Sequence, residues 1–339
     1  MRVGGIFKAM KIALVHDSVL PPKTYGGIER IIVSLAEELA TRGHDVVVHC
    51  RAGSTLRGAR VLPADHDSRP ADEWVEAGTE FIHSHQPLKL KPRLPFLITI
   101  HGNGQPGETY FANTNFVSES HARNHGSKVF VYNGVAPDHY PFASEKENYF
   151  VFLAKASWRV KNLKTTIAMA NDLRVPLHVM GGSGQDSEFV KFHGLVGEAE
   201  KLPLLKKARA LIYATNWEEP FGIALTEALA CGTPVIASAN GAMPEIVSPD
   251  VGVVCRTYED LLAAPQKLSK VKAEACRARV EENFSVAKMT NGYLVLYARI
   301  TKEGELDQSP RYAFDPSRIQ FLFKPTVLNR LRFALLRKI

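Results

Sequence analysis

No run of 18 or more apolar residues occurs in the 339-residue chain, so no segment is long enough to cross a bilayer as a helix. Cysteine is scarce. Cys50, Cys231, Cys255 and Cys276 stand singly, with no Cys-x-x-Cys pair and no Cys/His spacing of a zinc site. Such isolated cysteines fit a reducing compartment, and residues 1–10 lack the apolar core of a secretory signal, so the expected location is cytoplasmic. Met10 directly precedes the first strand-like run, and residues 1–9 read as a short extension or an alternative start. The first turn carries no Gly-x-Gly-x-x-Gly and the chain has no Walker lysine motif, which removes the common dinucleotide and NTP-hydrolase signatures. Short-period repeats and low-complexity tracts are missing too.

What is present is ordinary globular material: 45% apolar and 23% charged residues, enough chain for about two domains. The net charge of +7 suggests a polyanionic partner, but its location argues otherwise. Eight of the 42 basic residues lie in two acid-free ends, residues 1–10 and 316–339, so the body between them nets −1 against 35 acids. That balance, without an aromatic-basic platform, excludes nucleic-acid binding as the main expectation.

Short apolar runs alternate with amphipathic helices. Lys11–His16 reads as a buried strand, and Ile28, Ile31, Ile32, Leu35 and Leu39 follow it at helical spacing. Further strands are expected at 45–50, 81–85, 97–101 and 129–132. Residues 136–148, with two prolines and mixed charge, read as a linker. A second series has strands at 149–154, 177–180, 211–214, 234–238 and 252–255, and helices at about 162–174, 198–208, 221–231 and 271–283. The βα alternation predicts two α/β halves with parallel sheets. Their limits are set at 1–140 and 141–285, followed by a helix over 286–302 and an appendage over 303–339.

Two segments carry chemistry. Gly26 and Gly27 follow the first strand and open the first long helix, where bare backbone N–H groups can approach a phosphate; the plain alternative is an ordinary glycine turn. Glu219 precedes Pro220, a residue suited to a helix's first turn, and Glu227 follows eight residues on, roughly 12 Å along a helix axis. That span matches a nucleotide sugar from its sugar to its ribose, with the free N–H groups of the first turn facing the diphosphate. The plain alternative is two exposed helix glutamates.

The order Gly26-Gly27-Ile28-Glu29-Arg30, Arg42-Gly43-His44-Asp45-Val46, Asn133-Gly134-Val135, Gly181-Gly182-Ser183-Gly184 and Phe192-His193-Gly194-Leu195-Val196 is that of one family. Glu219 through Glu227, Ala230-Cys231-Gly232-Thr233-Pro234-Val235 and Pro244-Glu245-Ile246-Val247 continue it. Over about residues 11–300 the chain resembles glycosyltransferase family 4, whose members are retaining enzymes of the GT-B fold with a Glu-x7-Glu motif.

The resemblance implies two Rossmann-like domains facing across a cleft, the last helix returning to the N-terminal domain, and sugar transfer from a nucleoside-diphosphate sugar to a hydroxyl. By position, Glu219 matches the glutamate that contacts the transferred sugar and Glu227 the one that binds the ribose. Backbone N–H groups of Phe221, Gly222, Leu225 and Thr226 are expected on the sugar and phosphates, Leu195 and Val196 at the base, and Gly26 and Gly27 over the diphosphate or acceptor. Lys161 matches the family lysine; the arginine position falls on Lys155 or is taken by Arg159. Catalytic residues are therefore expected at Glu219, His101 and Lys161, with His101 at a strand's carboxyl end beside the sugar and His16, His83 and His85 near it. Neither a metal nor another cofactor is expected, since cations can offset the leaving diphosphate's charge. Asp65-His66-Asp67 spells a metal motif of another fold but lies in a proline-flanked polar stretch and reads as a coincidence.

In the tail, Leu328, Leu331, Leu335 and Ile339 share a helical face and Arg330, Arg337 and Lys338 lie away from it. This is either a helix packed on the body or a peripheral anchor to anionic membrane through 316–339, suited to a glycan or lipid-linked acceptor in surface-polysaccharide synthesis. Alternatives to transfer are a nucleotide-sugar epimerase or phosphorylase on the same fold, and a non-catalytic scaffold subunit.

Overall fold

The computed structural model describes residues 8–22, 26–64 and 69–323; Tyr25, the Asp65-His66-Asp67 motif and the tail face from Leu328 onward lie outside them. The chain divides into two compact units, Met1–Ala136 with Ser285–Phe314, and Pro137–Phe284 with Asp315–Ile339.

The first unit contains β1 (Lys11–Val15), α1 (Gly27–Thr41), β2 (Asp45–Cys50), β3 (Arg60–Pro63), β4 (Phe81–Ser84), β5 (Phe96–Thr99), β6 (Thr114–Asn115) and α2 (Glu119–Asn124). The second contains β7 (Phe150–Leu153), α3 (Leu163–Leu173), β8 (Leu177–Met180), β9 (Val190–Phe192), α4 (Glu198–Lys207), β10 (Ala210–Tyr213), α5 (Ile223–Ala230) and β11 (Val235–Ser238). It continues with α6 (Met243–Ile246), β12 (Gly252–Cys255), α7 (Tyr258–Lys267) and α8 (Ala273–Asn283). The chain then re-enters the first unit as α9 (Val286–Glu303).

Each unit holds one six-stranded sheet, ordered β3-β2-β1-β4-β5-β6 in the first and β12-β11-β10-β7-β8-β9 in the second. The strand pairs are parallel throughout; the central strands β1, β7 and β10 are apolar and buried almost end to end, and β4 is buried too, with Phe81 and Ile82 followed by the polar His83 and Ser84. A strand covered on both faces needs apolar residues at consecutive positions, which is why these read as continuous runs. Both sheets share the doubly wound order in which the winding reverses beside the first strand. The reversal lies between β1 and β4 in one sheet and between β7 and β10 in the other. Ligands of such sheets bind beyond the carboxyl ends of the strands at that reversal.

α9 seats Tyr293 and Tyr297, both fully buried, against the first sheet; the Tyr297 ring lies 4.4 Å from Phe81. Arg42 ties α1 to it by donating to Asn291 Oδ1 and to the Ala287 carbonyl.

Three expectations change. The strand expected at Val129–Tyr132 is a single bridge from Phe130 to Phe116, because the neighbouring β6 has only two residues to pair with. The helix expected from 221 begins at Ile223, because Gly222 takes a left-handed backbone (φ 90°) that ends the preceding loop. Pro220 therefore precedes the helix and does not occupy its first turn. Residues 304–323, expected in an appendage, are largely exposed but anchored at points: the Tyr110 N–H donates to the Pro310 carbonyl, the Tyr312 N–H donates to the Glu108 carbonyl, and Leu322 is fully buried. Among the described residues, no helix is long and apolar enough to cross a membrane.

Gly181 closes β8 at φ +118°, and a Cβ there would collide with the Ala154 carbonyl, 2.7 Å from its carbon. Gly181→Ala is expected to lower stability by about 2–5 kcal/mol through backbone strain and overpacking. A urea unfolding midpoint within error of wild type would contradict this packing.

Candidate active site

In the second unit, β7 and β10 flank the sheet's reversal, and the turns that leave them carry the charged residues. The turn after β7 forms a 3-10 segment, Arg159–Lys161, ended by Asn162 in the left-handed region (φ 57°). Asn adopts that conformation more readily than most residues. The turn points Lys161 inward, where it is 7% exposed, and its Nζ donates to Glu219 Oε2. The same Nζ donates to the Tyr213 hydroxyl at 2.9 Å, and that hydroxyl donates to Glu219 Oε2 at 3.1 Å. Lysine, tyrosine and glutamate thus form a closed triangle joining the ends of two adjacent strands. Gly241 makes room for it, since a Cβ there would strike the backbone of Glu219. Gly241 sits at φ +58° in the left-handed region.

Glu227 lies one helix further in, on α5, and is 5% exposed. Its Oε1 accepts from Lys201 Nζ at 2.7 Å and from the Tyr140 hydroxyl at 3.2 Å. The two glutamates share a feature. Among the described residues, every partner of Glu219 falls on Oε2 and every partner of Glu227 on Oε1, leaving one oxygen of each carboxylate without a hydrogen bond. The plain reading of two exposed helix glutamates does not hold, because both are largely enclosed. α5 itself begins with no side-chain cap, so its first N–H groups point out of the helix end unclaimed by a cap.

The remaining expected donor residues divide. Leu225 and Thr226 are buried on α5, and Phe221 packs edge-on against Phe284 at 5.8 Å. Leu195 is 63% exposed and Val196 half-buried, in a loop whose Gly194 carbonyl accepts from the N–H groups of Gly181 and Gly182. Lys155 and Arg159 are both exposed, and Lys155 lies 5.0 Å over the Trp158 ring; the structure does not join either to the Lys161–Glu219 triangle. Sequence reading misses Tyr213, Lys201 and Tyr140. Lys201 leaves a signal, for it sits four residues before the buried Leu205 and so shares the inward face of α4.

In the first unit, Gly26 caps α1 at φ +156°, and Gly27 is the first helical residue. A Cβ on Gly26 would meet Pro22 and Glu29, so the glycine serves close packing at the helix entry. His16 and His85 directly follow β1 and β4 at the carboxyl edge, His101 comes two residues after β5, and His83 lies inside β4. His85 Nδ1 and His101 Nε2 lie 3.0 Å apart with stacked rings, sharing one proton. His83 bridges the Tyr297 hydroxyl (2.7 Å) and Thr99 Oγ1 (2.8 Å). His101 keeps some exposed surface, but its Nδ1 is enclosed. Burial, with a smaller contribution from the neighbouring His16, pushes His101 down to about 3. Burial first, then mutual repulsion, holds His83 and His85 well below the usual histidine range. His83, His85 and His101 are therefore neutral at pH 7. Among the described residues, no group of three His, Cys, Asp or Glu is placed to hold a metal ion.

The depressed histidines make stability pH-dependent. The unfolded chain protonates them near 6.5, while the folded chain keeps them neutral down to much lower pH. Stability present above pH 6.5 should therefore fall as the pH drops, by up to about 1.4 kcal/mol per pH unit for each histidine. Urea unfolding at pH 7.5 and 5.0 checks this: His85→Asn should flatten the decline, and an unchanged slope would show that His85 is not buried neutral.

Comparison with known proteins gives this geometry a chemical setting. Residues 140–283 match the family described as Glycosyl transferases group 1. The chain is 22% identical to the glycogen synthase of Mycobacterium tuberculosis, over 86% of this chain and 95% of that protein. Its fold is similar to that of AviGT4, a glycosyltransferase involved in avilamycin A biosynthesis (TM-score 0.73, 22% identity, 86% of this chain and 98% of that one). It is also similar to that of Anabaena HepE in complex with UDP-glucose (TM-score 0.66, 14% identity, 86% of this chain and all 100% of that one). Its two doubly wound parallel sheets thus give the chain the fold of these glycosyltransferases, and residues 140–283 carry the match to the glycosyltransferase family.

Proposed function

We propose that the protein transfers a sugar from a nucleoside-diphosphate sugar to a hydroxyl of a glycan or lipid-linked acceptor, with retention at the anomeric carbon. The observation that carries this reading is the Lys161–Tyr213–Glu219 triangle at the sheet's reversal, with Glu227 on the adjoining helix. The open oxygen of Glu227 suits a ribose diol, since a carboxylate oxygen can accept from two hydroxyls. The open oxygen of Glu219 suits hydroxyls of the transferred sugar. The uncapped start of α5 and the Lys161 ammonium supply positive charge for the diphosphate, which gains charge as it leaves. The similarity to HepE, solved with UDP-glucose, supports a nucleotide-sugar donor. The segment 140–283 supports placing donor recognition in the second unit.

In the proposed step, the bond from the anomeric carbon to the leaving phosphate oxygen breaks, and the acceptor oxygen bonds to that carbon on the same face. The acceptor proton passes to the departing phosphate oxygen, so no enzymic base is consumed. Glu219 orients the sugar and does not attack it, for its carboxylate is already engaged by Lys161 and Tyr213. His101, expected at the sugar, is neutral, with its Nε2 against His85 and its Nδ1 enclosed.

Screening UDP, GDP and ADP sugars by thermal shift identifies the donor, and product NMR reads the anomeric configuration. With that donor, Glu219→Ala should lower kcat by about 10²–10³-fold, in the range for loss of one transition-state contact. Glu227→Gln should act on donor KM, raising it roughly tenfold or more through loss of charge-assisted bonds while leaving kcat within a few-fold. Near-normal kinetics for Glu219→Ala would overturn the assignment.

A further inference from the structure

The segment 319–322 runs across the carboxyl edge of the second sheet, and three asparagines hold its backbone. The Gln320 N–H donates to Asn240 Oδ1 at 2.6 Å, and the Gln320 carbonyl accepts from Asn240 Nδ2 at 2.8 Å. Two residues on, the Leu322 N–H donates to Asn216 Oδ1 at 2.9 Å. The Leu322 carbonyl accepts from Asn162 Nδ2 at 2.7 Å and from Thr165 Oγ1 at 2.8 Å. Asn240, Asn216 and Asn162 follow β11, β10 and β7, which are neighbours in the sheet in that order. The segment therefore crosses three successive strand ends. It presents alternate residues to them as an edge strand would, with side-chain amides in place of a backbone ladder. The Leu322 side chain is fully buried beneath the crossing.

The same asparagines reach the turns that carry the proposed catalytic pair. Asn162, the residue after Lys161, also donates from Nδ2 to the Ala214 carbonyl at 2.9 Å. Asn240 Nδ2 also donates to the Thr215 carbonyl at 2.8 Å. The Asn216 N–H and the Thr215 hydroxyl both donate to the Val160 carbonyl, at 2.7 and 2.9 Å. Turns 159–162, a short 3-10 segment, and 214–219 have no strand ladder of their own; beside the Lys161–Glu219 pair, this network connects them to each other and to the segment above. Small misplacements of groups that act on a reacting centre lower rates steeply.

We propose that residues 319–322 form a positioning strap. Its backbone, gripped by Asn162, Asn216 and Asn240, fixes the turn bearing Lys161 relative to the loop bearing Glu219, and the three asparagines are positioning residues for sugar transfer. The inference rests on the roles proposed for Lys161 and Glu219, but the mechanical link between strap and turns stands apart from those roles.

The test uses the full chain with substitutions that act on the backbone. Gln320→Pro deletes the N–H that Asn240 accepts, and Ile319 already has the extended conformation (φ −66°, ψ 126°) that a following proline requires. Gln320→Ala keeps the N–H and is the control. Asn162→Gly keeps the left-handed backbone but loses both amide links, so the strap is also broken from the sheet side. Gln320→Pro and Asn162→Gly should lower kcat/KM about tenfold or more, with Gln320→Ala within twofold of wild type. Amide hydrogen exchange should quicken at 159–162 and 214–219 in the first two variants. A lowered Tm with unchanged kcat/KM would make the strap structural only, and quickened exchange confined to 315–323 would break its link to the turns. If the wild-type chain transfers no sugar from any donor, the functional reading fails and the exchange pattern alone decides the strap.

Discussion

The ion pair between Lys161 and Glu219 is the constraint around which the second half of this enzyme is arranged. The two residues lie far apart in sequence and meet only because β7 and β10 are neighbours at the point where the sheet's winding reverses. Lys161 ends a one-turn 3-10 segment and Glu219 lies in a loop, so their meeting depends on what steadies two connections. Asn162 ends one turn in a left-handed conformation, Gly241 lets the other pass, and Tyr213 closes the triangle from the end of β10. Burying two opposite charges is favourable only when each is well paired, and breaking such a pair is strongly destabilising. That condition gives the site rigidity before any substrate arrives.

The buried pair Lys201–Glu227 applies the same logic one helix away. In both pairs one carboxylate oxygen is engaged, and among the described residues the other accepts no hydrogen bond. The arrangement separates two tasks that a single exposed glutamate would perform badly: holding the side chain still and offering an acceptor. The first unit achieves order at its own carboxyl edge by different means, a stack of neutral histidines backed by the tyrosines of α9. Charge pairs organise one edge and uncharged rings the other.

Much of the framework is legible in the sequence, and the exceptions have physical causes. Strands at Ala210–Tyr213 and Val235–Ser238 show as largely apolar runs with abrupt ends, because both faces are covered. β3, at a sheet edge, alternates little and is only partly buried, so periodicity does not reveal it. α7 is absent from the expected helices, although Thr257 and Asp260 form a capping box at its start. Pro220 points to a helix start that Gly222 postpones, since a proline before a helix and one in its first turn look alike in sequence. Glu219, Glu227 and Lys161 stand out through motif spacing. Their partners Tyr213, Lys201 and Tyr140 do not, because a partner chosen by the fold has no required distance along the chain. The strap is the extreme case: its recognition runs through backbone groups of residues 320 and 322, which no side-chain pattern encodes.

The central claim is that this triangle and Glu227 form the donor site. A crystal structure of the full chain with a bound nucleoside diphosphate tests it most directly. The expected result is the ribose hydroxyls on Glu227 and the diphosphate at the first N–H groups of α5 beside Lys161. A nucleotide seated elsewhere, with Glu227 and the start of α5 untouched, would contradict it.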